Sequence, residues 1–529
     1  MAPITRLHTT AFIHPNLYQD SVALMRVAQR LLALPQVVNA TLQMGNPANK
    51  EILQEAGLLT DAVKDAGPGD IMVVVQAKTR GACQAALAEC KAQIAGRDRA
   101  TLGASAGALG AHESIAPRTV SMGLANLASA NIAQISVPGA YAAAEALKAV
   151  KQGLNVFMFS DNVPLAQEVA IKQEAVKRGV LVMGPDCGTA IIGGVPLGFA
   201  NNVRRGAIGL VAASGTGLQE VTTQIHRMGG GVSHAIGTGG RDVYEEVGGA
   251  TLLQGIALLQ ADPSTRVIAI VSKPPAPEVT AKVMAALAAG GKPAVVVFLG
   301  SDLKSPAKHI RVANTLVDCA AECVRLARQH TSAKITVQPP VQHQLYAIPS
   351  KPRFEKSQKF LRALYSGGTY AAEAQVLWAA AGLAVWSNVP VNKAMALANP
   401  RKQSFGHTAL DLGDDEFTVG RPHPMIDQTA RIERLLKEAA DPTVRVILLD
   451  VVIGWGAHAD PAGELAAAIV QAKRIAASSK RHLAVIGFVC GTELDPQGLA
   501  AQEAKLQAAG MVLAGNSANA AWLAGEWVR

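Results

Sequence analysis

The sequence predicts an α/β fold: several doubly wound parallel-sheet domains of Rossmann or flavodoxin-like type, preceded by a small ferredoxin-like α+β domain. Three observations predict it. From Ile132 onward, short apolar runs alternate with helical runs, the pattern of strand and crossover helix in a parallel sheet. Several of these strands run into small-residue turns, among them Ser214-Gly215-Thr216-Gly217 and Gly237-Thr238-Gly239-Gly240. The first hundred or so residues instead carry the order β-α-β…β-α of a small split sandwich.

Composition bounds the possibilities. A chain of 529 residues has room for three or four domains of about 100–200 residues each. Apolar residues make up 49% and charged ones 17%, which excludes a disordered chain. Lys and Arg total 49 against 40 Asp and Glu, a net charge of +9 that favours anionic partners. The charges are dispersed and aromatics are only 4%, so no basic-aromatic platform for nucleic acid is expected. Cys83, Cys90, Cys187, Cys319, Cys323 and Cys490 form no CxxC pair, and no His cluster has metal-ligand spacing, so no metal site is expected. The N-terminus lacks a signal pattern, and no apolar run approaches the roughly 20 residues of a membrane span. A soluble protein of the reducing cytoplasm, with no membrane partner, is expected.

In chain order, residues 1–100 form the ferredoxin-like domain, with strands at 9–14, 37–44 and 71–76 and helices at 19–34 and 81–95. Residues 101–115 are a small-residue connector whose Gly103, Gly107 and Gly110 lack GxGxxG spacing and read as a linker. Residues 116–203 form a partial Rossmann domain, of the CoA-binding type only by the resemblance described below, with strands at 132–137, 155–159 and 180–183 around two helices, the second closed by Gly179. Residues 204–333 repeat the alternation, with strands at 207–213, 232–236, 267–271 and 294–299. Residues 334–357 are a Pro-rich linker, and its cationic tail, running on into the next domain (Lys351, Arg353, Lys356, Lys359, Arg362), reads as solvated surface. Residues 358–529 form a last α/β domain, with helices at 371–381, 461–477 and 497–509 and strands at 444–452, 483–489 and 511–514.

The chemistry is expected at the small-residue turns. A strand feeding Ser214, Gly215, Thr216 and Gly217 into a helix leaves several backbone N–H groups unpaired at the positive helix end, a geometry suited to phosphate. Gly239, Gly240 and Arg241 would open at the same sheet edge, with Arg241 able to hold a carboxylate bidentately. Lys273, just past another strand, has a similar position. Gly454, Trp455 and Gly456 repeat the strand–turn–helix device in the last domain. For each turn the alternative is that glycine merely permits a tight bend. Asp460 reads as a helix N-cap before Pro461, Cys187 and Cys490 as small buried thiols, Cys319 and Cys323 as core, and His226 and His234 as structural. No residue is identified as catalytic.

At this point a resemblance emerges. GPDCGTAII (184–192), AASGTGLQEV (212–221), IGTGGRD (236–242) and LLQADPSTRVIAIV (258–271) resemble the α subunit of succinyl-CoA synthetase. TALDLG (408–413), the run 441–460 and the run 485–514 resemble the carboxy-terminal domain of its β subunit. Both sets in one chain, without an ATP-grasp domain between them, resemble the FdrA family. That resemblance implies two facing helix N-termini that grip a phosphate, here the helices after Ser214–Gly217 and after Gly454–Gly456. It also implies a subunit of oxamate carbamoyltransferase in ureide (allantoin) breakdown, interconverting oxalurate plus phosphate with oxamate plus carbamoyl phosphate. The implied partners are the small ureide or oxamate, phosphate, other carbamoyltransferase subunits and, functionally, a carbamate kinase.

The chain also departs from the synthetases. Their phosphohistidine motif is absent from 300–316, which has His309 in another context, and the supporting glutamate gives way to VSKPP at 271–275. No CoA-phosphate loop precedes Ile132, and no P-loop or grasp site is visible. No cofactor is therefore expected, and phosphate and carbamoyl phosphate enter as substrates. The alternatives are an acyl-CoA synthetase using a phosphoacceptor such as His309, and a non-catalytic scaffold subunit.

Overall fold

A computed structural model describes residues 7–15, 17, 19, 21–103, 117, 119–329, 350–418 and 421–529. It divides into two compact units, Met1–Asn126 with Thr418–Pro422, and Leu127–Phe417 with His423–Arg529.

The first unit is built on an antiparallel sheet of order β1-β3-β2, from β1 (His8–His14), β2 (Val37–Met44) and β3 (Ile71–Ala77). Strand β3 is central, and its alternating side chains serve two cores. Ile71, Val73 and Val75 meet Leu24, Val27 and Cys90 from α1 (Ser21–Leu32) and α3 (Arg80–Gly103). Met72 and Val74 meet Leu53 and Leu58, from α2 (Pro47–Glu55) and the turn after it. The sequence reading did not foresee α2, although Asn46 caps it by accepting from Asn49 N–H and Pro47 opens it. Helix α3 runs beyond the expected end at 95; the rest of the expected connector, 104–115, lies outside the described residues. A short helix, α4 (Val120–Asn126), ends this unit.

The second unit contains three parallel-rich sheets. The small one is β4 (Ile132–Ile135), β5 (Asn155–Met158) and β6 (Val182–Met183), all parallel, crossed by α5 (Gly139–Lys151) and α6 (Leu165–Arg178). Gly179 closes α6 in the left-handed conformation, as its sequence position implied.

The second sheet has seven strands in the order β13-β12-β11-β9-β10-β7-β8. Its edge is a hairpin, β7 (Thr189–Ile192) and β8 (Val195–Gly198), turned by Gly193 and Gly194 with φ of 59° and 89°. Two consecutive positive φ angles are what a tight two-residue hairpin turn needs, and glycine supplies both without strain. Residues 189–198 therefore belong to this sheet, and the expected boundary between 203 and 204 cuts through one structural layer. The remaining elements are β9 (Arg205–Ala212), α7 (Gly215–Arg227), β10 (Val232–Gly237), α8 (Ala250–Ala261), β11 (Val267–Ser272), α9 (Pro277–Gly290), β12 (Ala294–Phe298), β13 (Ile310–Val312) and α10 (Leu316–Gln329).

The expected linker residues 334–349 lie outside the described residues. The third sheet has the order β15-β16-β14-β17-β18-β19, all parallel. Its elements are β14 (Phe360–Tyr365), α11 (Gly368–Ala380), β15 (Val385–Ser387), β16 (His407–Asp411), α12 (Asp415–Thr418), α13 (Thr429–Ala440), β17 (Val444–Val452), α14 (Pro461–Ser478), β18 (Ala484–Cys490), α15 (Leu499–Ala508), β19 (Val512–Leu513) and α16 (Ser517–Val528).

One apolar core joins the last two sheets. Leu218 and Val221 of α7 pack in the same cluster as Ala371 and Trp378 of α11, Leu448 of β17 and Trp527 of α16. Arg227 extends this union by donating to the carbonyls of Val489, Gly491 and Gly515.

Arg362 corrects the reading of residues 351–362 as uniformly solvated. It lies inside β14, 2% exposed, with Nε 2.9 Å from Glu438 and a terminal nitrogen 3.2 Å from Asp441. A buried charge survives only with such partners.

Two buried carboxyls sit where α7 and α11 meet. Glu220 accepts from Ser517 N–H at 3.1 Å, and Glu373 accepts from Leu316 N–H at 2.8 Å and from the Ser517 hydroxyl. Burial raises both, Glu373 to about 7. The native state therefore keeps the Glu373 proton to about pH 7, whereas an unfolded glutamate loses it near pH 4.3. The native form binds more protons in that window, so stability falls as pH rises through it, by up to about 4 kcal/mol. Urea midpoints of Glu373→Gln should fall less between pH 5 and pH 8 than those of the unaltered protein; equal slopes would assign the pH dependence elsewhere.

Candidate functional site

The site lies at the switch points of the two larger sheets. In the seven-stranded sheet the chain leaves β9 for β10 on one side and then crosses to β11 on the other. The crevice between the carboxyl ends of β9 and β11 is where ligands of open α/β sheets bind. Ser214 follows β9 and Lys273 follows β11. The six-stranded sheet repeats the device, with β14 between β16 and β17.

Ser214 is the N-cap of α7 in extended conformation, and its Oγ accepts from Gly217 N–H at 2.9 Å. The N–H groups of Gly215 and Thr216 belong to the first turn, where a helix provides no partner. Helix α11 begins in the same way, with Gly367 as N-cap. Before it, the N–H of Ser366 donates to Asp450 at 2.9 Å and its hydroxyl donates to the other carboxylate oxygen. Asp450 is held in turn by Arg431 at 3.1 Å. That anchor fixes the turn and leaves the first N–H groups of α11 open.

The two helix N-termini touch. The hydroxyls of Ser214 and Thr369 share a hydrogen bond. A Cβ placed on Gly367 would run into the Thr216 side chain, and one on Gly217 would lie 3.1 Å from the Thr369 methyl. Gly368 lies between two charged side chains: its Cβ position is 3.1 Å from Lys273 Nζ and 2.7 Å from Asp411 Oδ2. His423 completes the wall, with Nε2 2.6 Å from the Cβ position of Gly413. Its Nδ1 accepts from Met425 N–H at 3.2 Å, so the neutral ring carries its proton on Nε2. Burial lowers His423 to about 4, so it is neutral at pH 7. Two positive helix ends and an ammonium thus converge in one crevice, an arrangement that favours an oxyanion.

The structure brings together Ser214, Gly215, Thr216, Gly217 and Lys273 from the expected set. It does not place Gly454, Trp455 and Gly456 opposite them. That turn ends β17, but α14 starts only at Pro461, capped by Asp460. The N–H groups of its first two residues are already engaged, Gly454 with Gln497 Oε1 at 3.0 Å and Trp455 with Ala200 O at 2.8 Å, and the Trp455 indole donates to Asn202. The turn therefore fastens the segment after β8 to the last sheet, and Ser366–Thr369 take the opposing position.

Arg241 is likewise committed. Its Nε lies 2.9 Å from Glu168 and a terminal nitrogen donates to Val163 O at 2.7 Å, so the bidentate face expected for a carboxylate is in use. Buried Lys172 ties this corner together, 2.7 Å from Asp242 and 3.0 Å from Glu168. Gly239, with φ of 82°, would drive a Cβ into Pro185 O, and Gly240 opens a 3-10 turn, so these glycines serve the bend.

Sequence reasoning missed Ser366, Gly367, Gly368, Thr369, Asp411, His423 and Asp450. The signal for the first four was the YSGGT run after an apolar strand.

Comparison with known proteins agrees with this architecture. Residues 364–526 match the CoA-ligase family, 204–300 the CoA-binding domain family, and 7–108 the AllF heavy metal-associated domain family. Fold and matches together define a CoA-ligase-like protein with a succinyl-CoA synthetase-like core. The chain belongs to the same family as the uncharacterized protein YahF of Escherichia coli (strain K12), 41% identical over 521 residues, 98% of each chain. It is 29% identical over 153 residues to the alpha subunit of an ADP-forming succinate–CoA ligase of Aquifex aeolicus (strain VF5), covering 27% of this chain and 48% of that one. It is 27% identical over 151 residues to the ADP-forming sulfoacetate-CoA ligase subunit SauD of Bilophila wadsworthia (strain 3_1_6), covering 27% of this chain and 50% of that one. The chain thus matches about half the length of these two ligase subunits.

These matches overturn the expected carbamoyltransferase: both halves of the site fall in CoA-ligase and CoA-binding families. The CoA-binding match covers 204–300, not the 116–203 segment expected from the sequence. Among the described residues, the heavy metal-associated family name finds no ligand set. The cysteines of that domain, Cys83 and Cys90, are both buried in α3, with the Cys83 thiol donating to His8 O at 3.1 Å. Burial pushes Cys90 up to about 11, and among the described residues no group of three His, Cys, Asp or Glu side chains could hold a metal. Also among the described residues, no helix is long and apolar enough to cross a membrane.

Proposed function

We propose that this chain is the phosphate-gripping core of an acyl-CoA ligase-type enzyme, passing an acyl group between phosphate and the thiol of CoA. The observation that carries this reading is the meeting of Ser214–Gly217 with Ser366–Thr369 beside Lys273. In the thioester-forming direction the sulfur attacks the acyl carbon, the carbon–oxygen bond to phosphate breaks, and phosphate leaves with that electron pair while the thiol proton is released. Oriented N–H dipoles and Lys273 stabilise the charge that grows on the departing phosphate.

The reading uses no phosphohistidine. His309 faces Leu287 O at 3.3 Å, and Lys273 lies in VSKPP (271–275), the segment that by the resemblance takes the place of the synthetases' supporting glutamate. That inversion of charge favours a directly held acyl phosphate. A nucleotide, where the full cycle needs one, would come from a partner chain, a view supported by the subunit status of the ligase relatives. Arrangement of both ligase halves in one chain fits the FdrA-like organisation, and six free buried thiols support a reducing cytoplasm.

The test is phosphate-dependent release of free CoA from a panel of acyl-CoA esters, read with a thiol reagent. Release should require phosphate and be lost in Gly368→Val. Lys273→Met should weaken phosphate saturation about tenfold or more, the scale of one lost charge-assisted contact. Release that proceeds equally without phosphate, or survives Gly368→Val, would exclude this reading.

A further inference from the structure

Asp411 ends β16 with its side chain against the start of α11. The residue is 7% exposed. Its Oδ1 accepts from Gly413 N–H at 2.9 Å, while Oδ2 has no hydrogen-bond partner among the described residues and lies 2.7 Å from the Cβ position of Gly368. Lys273 flanks the same glycine; among the described residues it makes no ion pair within 4 Å, and its charge acts on Asp411 across that longer gap. A carboxylate aimed at a helix N-terminus occupies the place an external oxyanion needs, and two such anions side by side repel.

We propose that Asp411 is the proton-exchanging group of the clamp: it takes up one proton when a dianionic oxyanion settles against Gly368 and Lys273, and returns it when the anion leaves. This rests on the clamp reading above. In the empty site the carboxylate serves as internal counter-ion to Lys273 and the helix end. In the filled site its protonated form donates to the bound oxyanion, so the site holds a dianion without a buried second negative charge.

The groups facing Asp411 are Lys273 after β11, Asp414 in its own loop, Asp450 of β17 with its partner Arg431, and His423 across Gly413. Burial is the strongest influence and raises Asp411; Lys273 and the Gly413 N–H lower it, Asp414 and Asp450 raise it, and the balance is about 7. His423, near 4, stays neutral from pH 6 to 9 and adds no proton of its own.

The probe is inorganic sulfate, which remains a dianion across this range, titrated by calorimetry into the full chain at pH 6, 7, 8 and 9. Sulfate affinity should weaken about tenfold per pH unit above 7, the slope of one linked proton. In weakly buffered solution at pH 8, binding should take up about one proton per sulfate, and at pH 5.5 almost none, because Asp411 is then already protonated. Asp411→Asn should bind sulfate with pH-independent affinity, and Asp411→Glu should keep the proton uptake. Sulfate that binds with no pH slope and no proton uptake by the unaltered protein overturns the role of Asp411 and leaves the clamp standing. A slope that persists in Asp411→Asn also overturns it. No sulfate binding at any pH overturns the clamp itself.

Discussion

Gly367→Ala is expected to abolish oxyanion binding and to lower stability by about 1–3 kcal/mol, the usual cost of overpacking a filled site. Gly367 has φ of −162°, extended backbone open to any residue, so the effect is steric and not conformational. The new methyl has nowhere to go, because Thr216 already fills the space on the facing helix. Helices α7 and α11 are buried in one shared core and cannot simply slide apart. The clamp would open by tilting one helix start away from the other, and a phosphate would lose one of its two sets of N–H donors. Thr216→Gly removes the obstructing atoms, so the double variant should recover much of both losses. Urea unfolding and sulfate titration on the four proteins give the coupling. Losses that simply add in the double variant would mean that the two turns do not meet as described.

Asp450→Ala should be the most destabilising single change near the site, by about 3–5 kcal/mol, because it leaves a buried guanidinium without its counter-charge. Asp450 and Arg431 are both almost fully buried and lie 3.1 Å apart, and Arg431 also donates to the carbonyls of Leu364 and Asp450. The same carboxylate fixes both polar groups of Ser366. Its loss should therefore loosen the turn ahead of α11 as well as the core beneath it. Asp450→Asn, which keeps an acceptor for Ser366, should be milder. The double variant Asp450→Leu with Arg431→Met should also be less damaging than Asp450→Ala, since no lone charge remains. Urea midpoints at pH 7.5 decide the order of the three.

The parts of this protein that could be read from its sequence share a physical cause. Strand β9 and helix α7 were legible because an apolar run, a serine cap and a helical stripe follow one another without interruption. The opposing turn was hidden by two local irregularities. Arg362 sits inside β14, and a charged residue in a run normally argues for the surface, yet here Glu438 and Asp441 neutralise it. The helical pattern after Tyr365 becomes clear only at Ala371, three residues past the true start, which leaves Gly367–Thr369 outside it. Gly454–Gly456 instead present glycines directly after a strand, the pattern of an anion loop. In the fold the positive φ angles of Gly454 and Gly456, 119° and 77°, serve a bend in which the N–H groups of Gly454 and Trp455 are spent on Gln497 and Ala200. The hairpin at Gly193-Gly194 carried a recognisable two-residue turn, but strands of four residues, one containing Pro196, gave too short a pattern to register. Asp411 and His423 become neighbours only through tertiary packing, which no spacing along the chain announces.

Of all the experiments, a crystal structure of the protein grown with inorganic phosphate bears most directly on the two-helix grip. Phosphate oxygens should lie within hydrogen-bond distance of N–H groups from both Gly215–Thr216 and Gly368–Thr369, with Lys273 Nζ alongside. Phosphate found only at surface cations, with water on both sets of N–H groups at saturating concentration, would contradict it.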